Sequence, residues 1–482
     1  MKIGYVFTEV PQIAGMFPNA ELDEMRARGV EIELFVLRGK PALTDEARRI
    51  AARFPVHRSG YLLSGRLLAD CAAAGLRHPA AVARLFGRVV HDAAGSPRIL
   101  VKSLGILPKA LHFGSVARRR KITLLHAYWA SLPALGAEAM SVASGIPYTT
   151  WAHAGGDIYN RNHQTPAALR SRLRSARLVL TCNRANLETF ASLAGPEILA
   201  KVFLLTHGVD VERFAPRTGS HLSRGSSGSP LAILAVGRLS AAKGFDVLLD
   251  ACTLLEQHGT PFRCTIAGDG GARQALERRA RESGIGGRVD FLGHVDHPAL
   301  PDLYAAADLF VMPSVIGPKG SRDGLPNVVL EAMASGLAVV GSRVVSIPEA
   351  IEHERTGLLV PPGDATALAA AIETLAADPE LRRRLGSAAI EKARAEYGRG
   401  PAMDRLHRLF VELHEGGDAR GGEGLHAREQ ARERQQAGER EQAREREQEQ
   451  EREPEQQGGG QAQAGGRGGE ARARTAPAGR SS

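Results

Sequence analysis

The stretch Leu231-Ala232-Ile233-Leu234-Ala235-Val236, followed by Gly237-Arg238-Leu239-Ser240-Ala241-Ala242-Lys243-Gly244, decides the fold class of this chain. Six consecutive apolar residues stopped by a glycine read as a strand buried on both faces. Such a strand, leading through a short loop into an amphipathic stretch, is one step of a parallel α/β sheet. The loop has two readings. It is either a surface turn with solvated basic residues, or a place where two cations, close backbone approach and a helix N-terminus meet a diphosphate. The stretch alone does not choose between them.

The same alternation runs outward in both directions. Downstream come the short apolar runs Phe262–Ala267, Val289–Leu292, Leu309–Met312, Ala338–Gly341 and Leu358–Val360. Upstream lie Lys2–Thr8, Glu31–Leu37, Ile122–His126, Tyr148–His153, Leu178–Cys182 and Val202–Thr206. Together these make more strands than one doubly covered sheet comfortably holds, so two parallel-sheet, Rossmann-like domains are expected. Their expected spans are 1–208 and 230–400, joined by a linker over 209–229 that includes the Ser/Gly-rich stretch Gly219–Ser229. From 415 to 482 Gly, Arg, Glu and Gln dominate and apolar residues almost vanish after Leu425, which predicts a disordered tail.

The 62 Lys+Arg against 53 Asp+Glu leave a net charge of +9, which suits nucleotides, phospholipid head groups or nucleic acid. Aromatic residues make up only 5% of the chain and no recognition module is visible, so nucleic acid is not an expected partner. Cys71, Cys182, Cys252 and Cys264 are scattered, with no C-x-x-C pair, and indicate neither a metal site nor a disulfide framework. The N-terminus runs straight into a strand-like segment and no uninterrupted apolar run spans a bilayer. A cytoplasmic location is expected, at most peripheral at the inner face of the membrane. The segment Ser59–Lys121 reads as apolar helices studded with Arg and Lys. It is either packing on the first sheet with solvated basic faces, or a surface that touches anionic lipid.

Chemistry is expected outside the carboxyl ends of the strands. Beyond Met312-Pro313-Ser314 comes Asp323-Gly324-Leu325-Pro326-Asn327-Val328-Val329-Leu330-Glu331. Pro326 suits the start of a helix whose free N–H groups, around Asn327 and Val328, point at an anion. Glu331 stands among apolar neighbours; buried, it needs hydrogen-bond partners such as a ribose diol, and the alternative is an exposed helical Glu. His153 and Asp157 follow a strand end in Trp151-Ala152-His153-Ala154-Gly155-Gly156-Asp157. His126 and Trp129 are weaker candidates of the same kind.

These residues, taken in order, resemble the family 4 retaining glycosyltransferases of the GT-B fold, over nearly all of residues 1–413. Gly237-Arg238 with Lys243-Gly244 matches the diphosphate loop, and Asp323 and Glu331 hold the two ends of the Glu-x7-Glu motif. Ser335-Gly336, Ile347-Pro348-Glu349, Gly357–Pro361 and His207-Gly208-Val209-Asp210 continue the pattern. The Ala152-His153-Ala154 stretch and the form Arg322–Asn327 are most similar to the exopolysaccharide branch that includes colanic acid glycosyltransferases.

The resemblance implies a metal-independent hexosyltransferase without a cofactor. Its donor is a UDP- or GDP-sugar, and its acceptor is a glycan or lipid-linked oligosaccharide. Arg238 and Lys243, with Gly237, would hold the diphosphate; Glu331 the ribose; Asp323 the transferred sugar; and His153 the sugar near its reacting carbon. Asn327 and Val328 complete the donor side, while His126 and Asp157 are candidates for the acceptor side. The stretch 401–414 would be a helix crossing back to the first domain. The chain departs from the family at Asp323, one methylene shorter than Glu, and at Ala14 and Met16, where relatives place hydroxyl residues. Gly15 is left to offer its backbone N–H to the donor. A non-hydrolysing UDP-sugar epimerase and a non-catalytic scaffold on the same fold are the alternatives.

Overall fold

The computed structural model describes residues 1–10, 17–38, 45–58, 64–153, 157–159, 164–216, 230–322 and 324–416. Gly15, Asp323, most of the expected linker and the tail from 417 onward lie outside the described residues.

Thirteen parallel strands form two sheets among the described residues. The first contains β1 (Lys2–Phe7), β2 (Glu31–Val36), β3 (Val56–Arg58), β4 (Leu124–Ala127), β5 (Tyr148–Ala152), β6 (Leu178–Thr181) and β7 (Val202–Leu204). Their order is β3-β2-β1-β4-β5-β6-β7. The second contains β8 (Leu231–Val236), β9 (Phe262–Ala267), β10 (Val289–Gly293), β11 (Leu309–Met312), β12 (Ala338–Ser342) and β13 (Leu358–Val360), in the order β10-β9-β8-β11-β12-β13. Every apolar run expected to be a strand is one. The addition is β3, three residues that include His57 and Arg58 and show no apolar run. It exists because it closes an edge: His57 stacks on Phe35 and lies 2.6 Å from the buried carboxylate of Glu33. In both sheets the strand order reverses once, between β1 and β4 and between β8 and β11, and ligands of open α/β sheets bind in those crevices.

The first sheet is covered by α1 (Phe17–Ala27), α2 (Asp45–Arg53), α3 (Gly65–Arg77), α4 (Pro79–Asp92), α5 (Pro97–Arg119), α6 (Leu132–Ser144), α7 (Pro166–Ser175) and α8 (Ala185–Ala194). The second carries α9 (Phe245–Gln257), α10 (Arg273–Glu282), α11 (Leu300–Ala306), α12 (Asn327–Ala334), α13 (Ile347–Ala350), α14 (Ala365–Ala377) and α15 (Pro379–Tyr397). Local sequence starts several of them. Thr165, Asp364 and Asp378 each accept a hydrogen bond from the backbone N–H three residues on, and Pro166 and Pro379 occupy the first helical position.

By length and composition α5 is apolar enough to cross a membrane. Here Ile106, Leu107, Ala110, Leu111, Phe113 and Ala117 lie instead in the core of the first half. The last described helix, α16 (Arg399–Glu415), buries Met403, Leu406, Leu409, Phe410 and Leu413 in the cluster that also holds Ile3, Tyr5, Leu34 and Trp151. A helix that follows the second sheet in sequence is thus packed on the first. The crossing is pinned where Val209 N–H donates to Tyr397 O (2.7 Å) and Arg399 N–H to Val209 O (2.9 Å).

Candidate active site

On the second sheet, the loop after β8 is zipped to the loop after β9. Gly237 N–H donates to Ala267 O and Leu239 N–H to Asp269 O, both at 2.9 Å, and Ala272 N–H returns to Leu239 O at 3.1 Å. The backbones touch so closely that a Cβ on Gly268 would stand 1.9 Å from the Gly237 carbonyl oxygen. Leu239, 1% exposed, anchors the loop below. One 3-10 turn, Ala241–Lys243, then leads to Gly244 at φ +65°, the cap residue of α9. A Cβ there would lie 1.9 Å from Pro313 O, and Val315 N–H donates to Ala242 O at 3.0 Å. The loops after β8 and β11 are therefore locked together across the crevice. Arg238 is exposed on this frame; Lys243 is half-buried, with its aliphatic stem folded back over Gly237.

Pro326 precedes α12 and supplies no side-chain cap, so the first turn keeps the unpaired N–H character of a helix start at the half-buried Asn327 and Val328. One turn on, Glu331 is 6% exposed, which excludes the exposed-Glu alternative. The Tyr304 hydroxyl donates to its Oε2 (2.9 Å), and His297 Nε2 lies 3.1 Å from Oε1. Burial pushes the Tyr304 phenol well up, so it remains a donor. Each carboxylate oxygen has a second acceptor direction for a further hydroxyl.

On the first sheet, His153 leaves the end of β5. Asp157, 1% exposed, accepts from the N–H groups of Ala130 and His153 through one oxygen, Oδ2, both at 3.2 Å. Its own carbonyl accepts from Gln164, which in turn accepts from the buried Arg172. Asp157 thus braces two strand-end loops, and its carboxylate is turned inward, away from any acceptor. His126 requires a similar correction. It is 0% exposed, with Nδ1 2.7 Å from Thr149 Oγ1, and burial takes its pKa down to about 3. A neutral ring closed inside the core reaches no acceptor.

The structure adds residues the sequence reading gave no role. Glu21 on α1 is 1% exposed; burial pushes its pKa up to about 8 although Tyr5 (3.0 Å) and Tyr128 donate to it. His207 packs its ring on Trp151 at 4.0 Å. With Ala20 and Gly208 of the first half it lines one cleft with Val209 of the crossing, His297, Asn327 and Glu331 of the second half, and Arg399. Two further contacts bridge the halves. The Glu349 carboxylate accepts from Arg184 N–H at 3.0 and 3.1 Å, and the Arg322 guanidinium lies 3.9 Å over the Tyr159 ring.

The Glu21 carboxyl has a pH consequence. Its folded pKa is raised, so between about pH 4.5 and 8 the folded state holds a proton the unfolded chain has released, and stability falls as pH rises through that window. The loss is on the order of a few kcal/mol. Glu21→Gln should abolish this alkaline loss. It should leave untouched the acid-side loss from His126 and His207, whose depressed pKa values cost stability as pH falls below about 6.5. Urea midpoints across pH 5 to 8 check this; identical slopes in wild type and variant would contradict it.

Comparison with known proteins follows this geometry. Residues 221–392 match the family model described as Glycosyl transferases group 1. The matched segment carries the Gly237–Gly244 loop and Glu331. Among curated relatives, the amylovoran biosynthesis glycosyltransferase AmsK of Erwinia amylovora is 32% identical over 213 residues, 44% of this chain and 51% of AmsK. A GDP-mannose-dependent alpha-(1-6)-phosphatidylinositol monomannoside mannosyltransferase of Mycobacterium tuberculosis is 30% identical over 234 residues, 48% of this chain and 59% of the relative. The chain thus spans about half the length of the curated relatives it matches. The crystal structure of Anabaena Alr3699/HepE in complex with UDP superimposes with a TM-score of 0.64 at 20% identity, covering 86% of this chain and 100% of that one. The fold is GT-B, two Rossmann-like halves facing a common cleft.

Proposed function

We propose that the chain is a retaining glycosyltransferase that moves a sugar from a nucleotide-sugar donor to a glycan or lipid-linked glycan in cell-surface polysaccharide synthesis. The observation that carries the reading is the buried, doubly hydrogen-bonded Glu331, which lines one cleft with His207 of the opposite half. The cationic loop of Arg238 and Lys243 crowns the same sheet. AmsK is by name a glycosyltransferase of amylovoran biosynthesis, which supports the transfer; the HepE complex with UDP and the GDP-mannose-dependent mycobacterial relative support a nucleoside diphosphate donor.

In this reading Glu331 accepts the ribose hydroxyls, while Arg238, Lys243 and the α12 N-terminus take the diphosphate. Asp323 and His153 hold the sugar, and Gly15 meets the donor from the first half. The bond from the anomeric carbon to the phosphate oxygen breaks, and the acceptor oxygen bonds to that carbon on the same face. The acceptor's proton passes to the departing phosphate. Negative charge grows on that phosphate in the transition state, so donors already aimed at it lower the barrier. The fixed cations take the role of a divalent ion, and transfer should persist in EDTA. Titration of UDP, GDP and ADP tests the site: one of them binds, and no binding by any of the three overturns the proposal.

The proposal extends to an anionic membrane surface at the inner face of the cell membrane. Residues 64–121 hold eleven Lys and Arg against two carboxylates, Asp70 and Asp92. Leu68, Leu76, Val90 and Val101 on α3, α4 and α5 are four of the six exposed large hydrophobics among the described residues. Apolar side chains interleaved with cations match a lipid interface. The protein should sediment with vesicles containing anionic phospholipid and remain soluble with zwitterionic ones. Leu76→Asp combined with Val101→Asp should halve the bound fraction or better. Equal sedimentation with both vesicle types, or with neither, would remove the membrane from the account.

A further inference from the structure

The cleft is lined from both halves, so whatever fixes the halves against each other fixes its shape. Halves joined only where the chain crosses between them move relative to one another by default. Here a side chain ties them. Glu349, on the one-turn helix α13 after β12, reaches the loop that follows β6 on the first sheet. Both of its carboxylate oxygens accept from Arg184 N–H, at 3.0 and 3.1 Å, across 165 positions of sequence. Arg184 is the cap residue of α8, and its own side chain makes no capping bond. Asn183 serves the Asn186 N–H, at 3.0 Å. The Arg184 N–H, at the positive end of a ten-residue helix, is thus capped by a carboxylate of the opposite half.

This contact is coupled to the crossing. Tyr397, whose carbonyl receives the Val209 N–H at 2.7 Å, donates its hydroxyl to the Glu349 carbonyl at 3.0 Å. The path Val209–Tyr397–Glu349–Arg184 therefore runs from the crossing through the second half and back into the first. The Arg322 guanidinium over the Tyr159 ring adds another tie. A crossing alone leaves a hinge, whereas a crossing with further ties fixes an orientation.

We propose that Glu349 is a positioning residue for sugar transfer: held on the N-terminus of α8, it sets the spacing at which the two halves face each other. It acts through Arg184, and neither residue lines the cleft. Arg238, Lys243 and Glu331 stand on the same half as Glu349, so their hold on the nucleotide survives its loss. The approach of the first half does not, and a misplacement of about 1 Å can cost a hundredfold in rate. The proposal rests on the transfer reading above.

The test removes the bond from either side. Glu349→Ala deletes the acceptor. Arg184→Pro deletes the N–H, and the φ of −70° at Arg184 is one that proline adopts. Glu349→Gln keeps one acceptor oxygen. Small-angle scattering by the full chain reads the spacing of the halves, titration with UDP, GDP and ADP reads the donor site, and steady-state turnover reads transfer. Glu349→Ala and Arg184→Pro should each enlarge the radius of gyration and lower kcat about tenfold or more, with the nucleotide dissociation constant within about twofold. The double variant should be no worse than either single one, because the two share one bond, and Glu349→Gln should recover most of the turnover. An unchanged radius of gyration in both single variants overturns the proposal. An enlarged one with full kcat, or losses that add in the double variant, also overturns it. Variants that open, beside a wild type that turns over no donor, overturn the transfer reading instead and take the positioning role with it.

Discussion

Replacing Lys243 by alanine should lower turnover of the nucleotide sugar by roughly a hundredfold or more, the cost of losing about 3 kcal/mol of preorganised charge stabilisation. Arg238→Ala should follow in the same direction. The argument comes from the frame around them. The loop is hydrogen-bonded to the β9 loop at three places and clasped to Pro313, so the Lys243 cation is held at the strand ends before any donor arrives. Held charges need no reorganisation when the leaving phosphate develops its own. Neither side chain belongs to the core: Arg238 is exposed and Lys243 half-buried, so both variants should melt within a degree or two of the wild type. Turnover within about threefold of wild type in both would show that the diphosphate lies elsewhere.

Gly244→Ala should damage the same loop by a different route. A residue with a side chain at φ +65° pays about 1–2 kcal/mol for the left-handed conformation. The added carbon would also sit 1.9 Å from Pro313 O, a backbone atom that cannot swing aside. Forced repacking of that kind costs a further 1–3 kcal/mol or so, and the sum is about 3 kcal/mol. For a domain of this size the melting temperature should drop by roughly 6–12 °C. Activity should fall as well, because the loops after β8 and β11 can no longer close on each other. The contrast is diagnostic: Lys243→Ala loses turnover without stability, and Gly244→Ala loses both. A thermal scan and a rate measurement on each variant separate them, and an unshifted melting temperature in Gly244→Ala would contradict the close contact.

The strands were legible because each expected run was continuously apolar, and strands covered by helices on both faces leave that trace. β3 was not, because its pairing comes from an edge and a hydrogen bond from His57 to the buried Glu33 carboxylate, with no hydrophobic pattern of its own. Glu331 was legible as a buried carboxylate from the apolar residues around it. The reason it tolerates burial was hidden, because Tyr304 and His297 reach it from α11 and the turn before it. His153 could be placed at a strand end, but a strand end does not reveal depth. That is why Asp157, and more weakly His126, read as acceptor-side candidates, whereas the structure holds them as a buried brace and a core ring. Glu21 sits in an ordinary amphipathic helix, and only packing brings it under His126, His207 and two tyrosines. Contacts between strand ends far apart in the chain leave no local signal.

The most direct test of the central claim is nucleoside diphosphate release by the full chain from a panel of UDP-, GDP- and ADP-sugars in EDTA, with Lys243→Ala alongside. The account predicts release from one donor that falls at least about a hundredfold in the variant. Release that is equal in wild type and variant, or no release from any donor even with membrane-derived acceptor lipids added, would contradict it.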